Sequence, residues 1–229
     1  GYAPFPRPEG VPLADAFGIL AVAGPTAYVG VLEIGKPKPG DTVVVTAAAG
    51  AVGALVGQIA KLQGCRVVGV AGSDDKCRWL TDELGFDAAI NYRKEDLLEA
   101  LKREAPNGID VQFENVGGEI MEAVMARMNL FSRMPLCGMI SGYNTGDPAM
   151  RGDFSPILMR RIEVRGFIVI DFMEKFAEGA MQLATWVAEG KLKHRETIVD
   201  GLENAPVAVN RLFDGGNIGK LVVKVAEAP

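Results

Sequence analysis

The chain has 229 residues, 48% of them hydrophobic and 23% charged, with a formal net charge of −5. This composition supports one large domain, or one domain plus part of another, and the acidic balance argues against a general nucleic-acid role. Three scattered cysteines (Cys65, Cys77, Cys137) and one histidine (His194) make no standard zinc pattern, and the longest apolar runs fall short of the ~20 residues a membrane span needs.

The chain opens on Gly1-Tyr2-Ala3-Pro4-Phe5-Pro6, without a basic and apolar secretion signal. Pro4, Pro6, Pro8, Gly10 and Pro12 read as an extended linker, and the start without an initiator Met reads as a fragment or a processed chain. Free cysteines in this setting suit a reducing cytoplasm.

A helix is expected from Pro25-Thr26 to Ile34, followed by a turn at Lys36-Pro37-Lys38-Pro39-Gly40-Asp41. From there strands and helices alternate. Thr42 to Ala47 reads as a buried strand. Ala51 to Gln63 reads as a helix, with Val52, Leu55, Val56 and Ile59 on one face and Gly64 as its stop. A second strand spans Arg66 to Ala71, and a helix runs from Asp74 to Leu84, stopped by Gly85. A third strand at Ala88 to Tyr92 precedes a helix at Glu95 to Glu104. A fourth strand at Ile109 to Val116 precedes a helix at Glu119 to Leu130. Fifth and sixth strands are expected at Arg133 to Met139 and Val164 to Ile170. Strands separated by helix-length segments predict right-handed βαβ units and a parallel, doubly wound α/β sheet of Rossmann type.

The tail breaks this rhythm. A helix at Glu174 to Glu189 is followed by strands at Thr197 to Val199 and Leu221 to Val225 around a helix at Ala205 to Phe213. These segments are expected in another sheet.

The segment Ala47-Ala48-Ala49-Gly50-Ala51-Val52-Gly53 lies where a strand becomes a helix. It is the dinucleotide fingerprint with alanine in place of its first glycine. Gly50 lets backbone approach a pyrophosphate, Gly53 lets the helix pack on the strand, and the helix N-terminus offers free N–H donors. A tight turn with close packing and no ligand is the competing reading. About 20 residues on, where NAD binders carry Asp or Glu, stands Gly72-Ser73, with Lys76 just beyond. A small hydroxyl plus a lysine favours the 2′-phosphate of NADP(H). Asp74 and Asp75 remain as ribose acceptors or as favourable charges at a helix N-terminus.

Ser73-Asp74-Asp75-Lys76, Asn91-Tyr92, Glu114-Asn115-Val116-Gly117-Gly118, Cys137 to Asn144, Gly166-Phe167-Ile168-Val169 and Gly216-Asn217-Ile218-Gly219-Lys220 follow in order. With them in view, the chain resembles the zinc-independent medium-chain dehydrogenase/reductases, in particular the leukotriene B4 12-hydroxydehydrogenase, prostaglandin reductase and curcumin reductase branch. The resemblance covers nearly the whole chain. It implies NADPH-dependent reduction of the carbon–carbon double bond of α,β-unsaturated ketones and aldehydes, without a metal.

By the same resemblance, Gly50, Ala51, Val52 and Gly53 hold the pyrophosphate, and Ser73, Lys76 and Tyr92 sit by the 2′-phosphate. Asn115, Cys137, Gly138, Ile140, Ser141 and Tyr143 pass along the ribose and nicotinamide. Phe167, Ile168 and Val169 line the nicotinamide side, and Asn217 bonds near it. Tyr143 is the candidate proton donor, and a bond to a ribose hydroxyl is its plainer role. Cys137 as a buried small hydrophobe, Asn115 as a turn residue and Phe167-Ile168-Val169 as core are the plainer readings of those positions. His194, between Lys193 and Arg195, reads as solvated.

The resemblance also implies a GroES-like catalytic domain ahead of the segment that starts at Gly1, which this sequence does not contain. Residues 13–190 then form the NADP-binding Rossmann domain, and residues 1–12 and 191–229 are remnants of the catalytic domain. A quinone acceptor, or a dinucleotide sensor without chemistry, are the rival functions. A homodimer through the apolar run Val164 to Ile170 is expected of the full-length protein.

Overall fold

The computed structural model describes residues 16–145 and 153–226. The proline-rich entry at residues 4–12 lies outside the described residues. A π-helical turn at Ala16–Leu20 leads into helix α1 (Ala23–Val29), which continues as a π-helical turn through Gly35.

Strand β1 (Thr42–Val45) is buried along its whole length. Its valines explain why. Successive side chains of a strand point to opposite faces, so a strand covered on both faces must be apolar throughout. Val43 and Val45 enter one core cluster and Val44 enters the other. The chain proceeds through α2 (Ala51–Leu62), β2 (Arg66–Ala71), α3 (Asp74–Arg78), β3 (Ala88–Asn91), α4 (Leu97–Glu104), β4 (Ile109–Phe113), α5 (Gly118–Met125), β5 (Met128–Leu136), α6 (Ser155–Arg160) and β6 (Glu163–Gly166). The six strands pair in parallel in the order β3-β2-β1-β4-β5-β6. This is a Rossmann sheet. The order reverses between β1 and β4, and an open α/β sheet forms its ligand crevice beyond the carboxyl ends of the strands at that point.

Helices α1 and α2 cover one face, together with Leu183 of α7 (Met173–Ala188). Leu101 of α4 and Met121, Val124 and Met125 of α5 cover the other. The tail forms β7 (Glu196–Asp200), α8 (Ala205–Asp214) and β8 (Lys220–Lys224). Strands β7 and β8 pair in parallel as a separate two-stranded sheet, in keeping with the break in rhythm. Gln58 of α2 ties this unit down, donating to the Lys193 carbonyl at 2.9 Å and accepting from the Lys193 N–H at 2.8 Å.

Several element boundaries differ from the sequence expectation. The helix expected to reach Leu130 stops at Met125, and β5 begins at Met128. Met128 is fully buried and pairs with Ile109. The register then slips before Val111 meets Arg133, and Phe131 takes up the slip in a left-handed conformation, φ 59°. Pairing with β4 overrides the helical periodicity. The fifth strand ends at Leu136 rather than Met139. The fourth ends at Phe113, because Glu114 turns its carboxylate onto the N–H groups of Val116 and Gly117. The sixth ends at Gly166 and is followed by a 3-10 turn at Val169–Phe172. The Phe167 ring meets the Phe113 ring edge-on at 6.3 Å, which draws the chain inward.

Candidate functional site

The β1–α2 turn is built from small residues for reasons the geometry makes explicit. Ala47 is left-handed, φ 48°, and its carbonyl accepts the Gly50 N–H at 2.9 Å. A Cβ on Gly53 would lie 2.5 Å from that carbonyl oxygen and 2.9 Å from Ala48 Cα, so α2 packs on the turn only without a side chain there. A Cβ on Gly50 would meet only the Ala47 carbonyl, at 3.2 Å. Gly50 caps α2 in extended conformation without a side-chain bond, and the first intrahelical bond from this end is Ala54 N–H to the Gly50 carbonyl. The N–H groups of the first turn of α2 are left to serve a ligand.

A cleft of about 820 Å³ lies over this turn. Gly50, Ala51, Val52 and Gly53 form its floor. Lys76, Tyr92 and Arg93 stand at one end. Asn115, Gly138, Ile140, Ser141 and Tyr143 line the other side, and Asn217 lies in the wall from the tail. The structure thus brings together twelve of the residues singled out in the sequence. Ala208, Leu212 and Phe213 of α8 form an apolar wall across the opening.

Five other expected residues do not line this cleft. Ser73 caps α3, its hydroxyl accepting the Lys76 N–H at 3.3 Å. Cys137 is half-buried against the larger core cluster, and burial pushes its thiol up to about 11. Phe167 packs on Phe113, Val169 is buried, and Ile168 faces outward, 63% exposed. Asp74 accepts from the Asn91 amide at 2.6 Å and from Lys94, and Asp75 pairs with Arg78. Both carboxylates are therefore committed outside the cleft. His194 is partly buried rather than solvated, because Gly18 packs on its ring: a Cβ on Gly18 would sit 2.6 Å from His194 Nδ1.

Two loops of the wall are laced together. The Ile140 N–H donates to the Asn115 carbonyl at 3.1 Å, and the Ser141 hydroxyl donates to the Val116 carbonyl at 2.6 Å. The Met139 N–H donates to the Tyr143 hydroxyl oxygen at 3.1 Å, which leaves that phenol its own proton to donate.

At the far end, Lys76 donates to the Gly215 carbonyl at 2.8 Å and Arg93 to the Asp214 carbonyl at 3.1 Å. The Arg93 guanidinium lies 5.9 Å from the Tyr92 ring centre. Burial, then Arg93, holds the Lys76 ammonium below its ordinary pKa. Two cations this close, each bonded to a backbone carbonyl, suit a dianionic phosphate. With the free N–H groups of α2, the donor set fits a phosphorylated dinucleotide. Among the described residues no group of three or more His, Cys, Asp or Glu is placed to hold a metal, and no helix is long and apolar enough to cross a membrane.

Arg93 and the α8 wall are additions that sequence reading missed. Arg93 follows Tyr92 directly, and only the pairing of Ala71 with Asn91 shows that the end of β3 lies beside the end of β2.

A sequence profile described as "Zinc-binding dehydrogenase" matches residues 51–186. NADPH-dependent curcumin reductase of Escherichia coli is 46% identical over 217 residues, covering 92% of this chain and 63% of that protein. Prostaglandin reductase 1 of Bos taurus is 46% identical over 221 residues, covering 95% and 67%. Among solved structures, CurA of Vibrio vulnificus in complex with NADPH superposes with a TM-score of 0.89 at 46% identity, covering 94% of this chain and 66% of that one. The chain spans about two thirds of the length of the relatives it matches.

Proposed function

The chain belongs to the zinc-binding dehydrogenase family, and from that premise we propose that it is the NADP(H)-binding portion of a reductase acting on the double bond of α,β-unsaturated ketones and aldehydes. One observation carries the reading: the uncapped first turn of α2 and the Lys76–Arg93 pair face one cleft, of a size that suits a dinucleotide. The name of the curcumin reductase relative supports the substrate class, since curcumin is a conjugated carbonyl compound.

In this reading the N–H groups of Ala51, Val52 and Gly53 bind the pyrophosphate, and Lys76, Arg93 and Tyr92 take the 2′-phosphate. Asn115, Gly138, Ile140, Ser141 and Asn217 hold the ribose and nicotinamide end. Bound NADPH supplies the hydride. Tyr143 is assigned to give a proton toward the substrate or to bond the enolate oxygen; that its hydroxyl oxygen accepts from Met139, leaving its proton to donate, supports the assignment. Ser73 supports the phosphate site by capping α3. Cys137, Phe167 and Val169 shape the nicotinamide side from behind rather than line it, and Ile168 faces outward.

Residues 13–190 are assigned to the cofactor domain. Residues 191–229 are assigned, with residues 1–12, to a second, catalytic domain of GroES type, in support of which β7 and β8, among the described residues, pair only with each other. The β6 edge is assigned to a homodimer, supported by Ile168 and Ile170, which are 63% and 65% exposed beside it. Light scattering that finds a monomer in the full-length protein overturns that assignment. Three free thiols are consistent with a cytoplasmic setting.

The test is a fluorescence titration of this chain with NADPH and with NADH. Saturable binding that favours NADPH at least tenfold, and that weakens in Lys76→Ala, is expected. No binding of either overturns the reading. On the full-length protein, Tyr143→Phe is expected to lower kcat with little change in NADPH affinity. The reverse pattern assigns the phenol to a ribose contact. A screen of enones against quinones identifies the acceptor.

A further inference from the structure

Glu114 is fully buried at the end of β4, and its neighbours are donors rather than cations. One carboxylate oxygen accepts from the N–H groups of Val116 and Gly117, at 2.6 and 2.7 Å. The other accepts from the Gln112 amide at 2.7 Å, and Thr46, whose hydroxyl donates to the Phe113 carbonyl at 3.4 Å, lies beside the group. Thr46 in turn receives the Asn115 N–H on its hydroxyl oxygen and the Asn115 side-chain amide on its carbonyl, each at 2.8 Å. Val116 and Gly117 lead directly into α5, which Gly117 caps at φ 81°. A carboxylate ahead of a helix N-terminus is electrostatically favoured there. Burial without a cation is costly, and the protein meets that cost only by aiming several donors at one group.

The outcome is a fixed loop. Asn115 and Val116 both line the cleft, and the carbonyls of both anchor the opposite wall through Ile140 and Ser141. Removing the carboxylate would free the inner side of this loop while leaving every cleft-lining side chain in place.

We propose that Glu114 is a positioning residue for the cofactor cleft: its buried carboxylate sets the Asn115–Gly117 loop, and through it the wall that carries Ile140 to Tyr143, in the shape that receives the nicotinamide end of the dinucleotide. The proposal rests on the cofactor reading above.

The test uses this chain with Glu114→Gln, Glu114→Asp and, as a stability control, Leu101→Ala in the core cluster beneath α4 and α5. Two readouts are needed. The first requires no cofactor: in ¹⁵N-labelled protein, the Val116 and Gly117 amide protons are expected at low field, and to move upfield in Glu114→Gln. The second is the NADPH titration, where Glu114→Gln is expected to weaken binding about tenfold and Glu114→Asp to recover at least a third of the lost affinity. Leu101→Ala is expected to lower the unfolding temperature without changing affinity. Affinity within twofold of wild type in Glu114→Gln, or unmoved amide resonances, overturns the proposal. So does a loss of affinity in Leu101→Ala that matches its loss of stability. If the unsubstituted chain binds neither NADPH nor NADH, the cofactor reading has failed, and the positioning role falls with it.

Discussion

The Lys76 ammonium bonds the Gly215 carbonyl at 2.8 Å across 139 residues of sequence. Arg93 makes the parallel contact to Asp214. The end of α8, where helix carbonyls lack intrahelical partners, thus faces two cations at the end of the cleft. This arrangement makes the cations more than solvated surface charge.

Replacing either cation by alanine is expected to weaken NADPH by roughly ten- to a hundredfold, the worth of one charge-assisted contact, while leaving NADH within about threefold. The pH dependence has a definite sign. Burial and Arg93 hold the Lys76 pKa below its ordinary value, so the free protein loses this charge at lower pH than a solvated lysine does. NADPH affinity should fall with rising pH from an onset below 10.5, and the fall should be absent in Lys76→Ala. Titrations from pH 7 to 10 check both points.

Gly50 and Gly53 are separable. Gly53→Ala drives a methyl into the Ala47 carbonyl and the Ala48 backbone, neither of which is a flexible side chain. A loss of about 2–4 kcal/mol is expected, or roughly 5–15 °C in Tm. Gly50→Ala meets one atom at 3.2 Å, with φ at −83°, and should fold with nearly unchanged Tm. Its methyl would stand in the cleft between the protein backbone and the pyrophosphate in the proposed cofactor pose, so NADPH should weaken at least tenfold. Calorimetry and titration on the two variants distinguish packing from binding.

The sheet was readable because its signal is local. Thr42-Val43-Val44-Val45 admits only a strand buried on both faces, and the Gly-containing turn followed by an apolar helical face fixes a βα unit. The start of β5 was not readable, because Glu119 to Leu130 keeps helical spacing and only the long-range pairing of Met128 with Ile109 ends the helix early. Lys76 and Tyr92 could be named from motifs. Arg93 could not, since its place in the cleft depends on the α8 end it touches, 121 residues away. The five expected residues that stand outside the cleft share one cause. Spacing along a strand end gives the neighbourhood of a site but not which side of the backbone faces it, and Phe167 turned to the Phe113 ring instead.

The cysteines should be sluggish toward alkylation. Burial raises all three thiols, Cys65 and Cys137 to about 11. Only the thiolate reacts, so at pH 7.5 Cys65 and Cys137 should carry roughly a hundredfold less reactive form than a free cysteine. Iodoacetamide labelling followed by mass spectrometry is expected to modify them more than tenfold slower than glutathione. A Cys137 that labels as fast as glutathione would mean that the core behind the Gly138 side of the cleft opens readily.

Ala47 holds the turn at φ 48°, where a Cβ is strained and glycine is not. The strain is compensated by the bond its carbonyl makes to Gly50, which shapes the start of α2. Ala47→Gly should relieve about 0.5–1 kcal/mol in the folded state and raise Tm by about 1–3 °C, less whatever the added freedom of the unfolded chain removes. The same freedom loosens the turn that presents the α2 N–H groups. NADPH affinity should therefore fall slightly while stability rises, a stability change opposite in sign to the loss expected of Gly53→Ala. Differential scanning calorimetry with and without NADPH reads both quantities on one sample. A Tm that falls in Ala47→Gly would show that the alanine methyl contributes more by packing than its left-handed backbone costs.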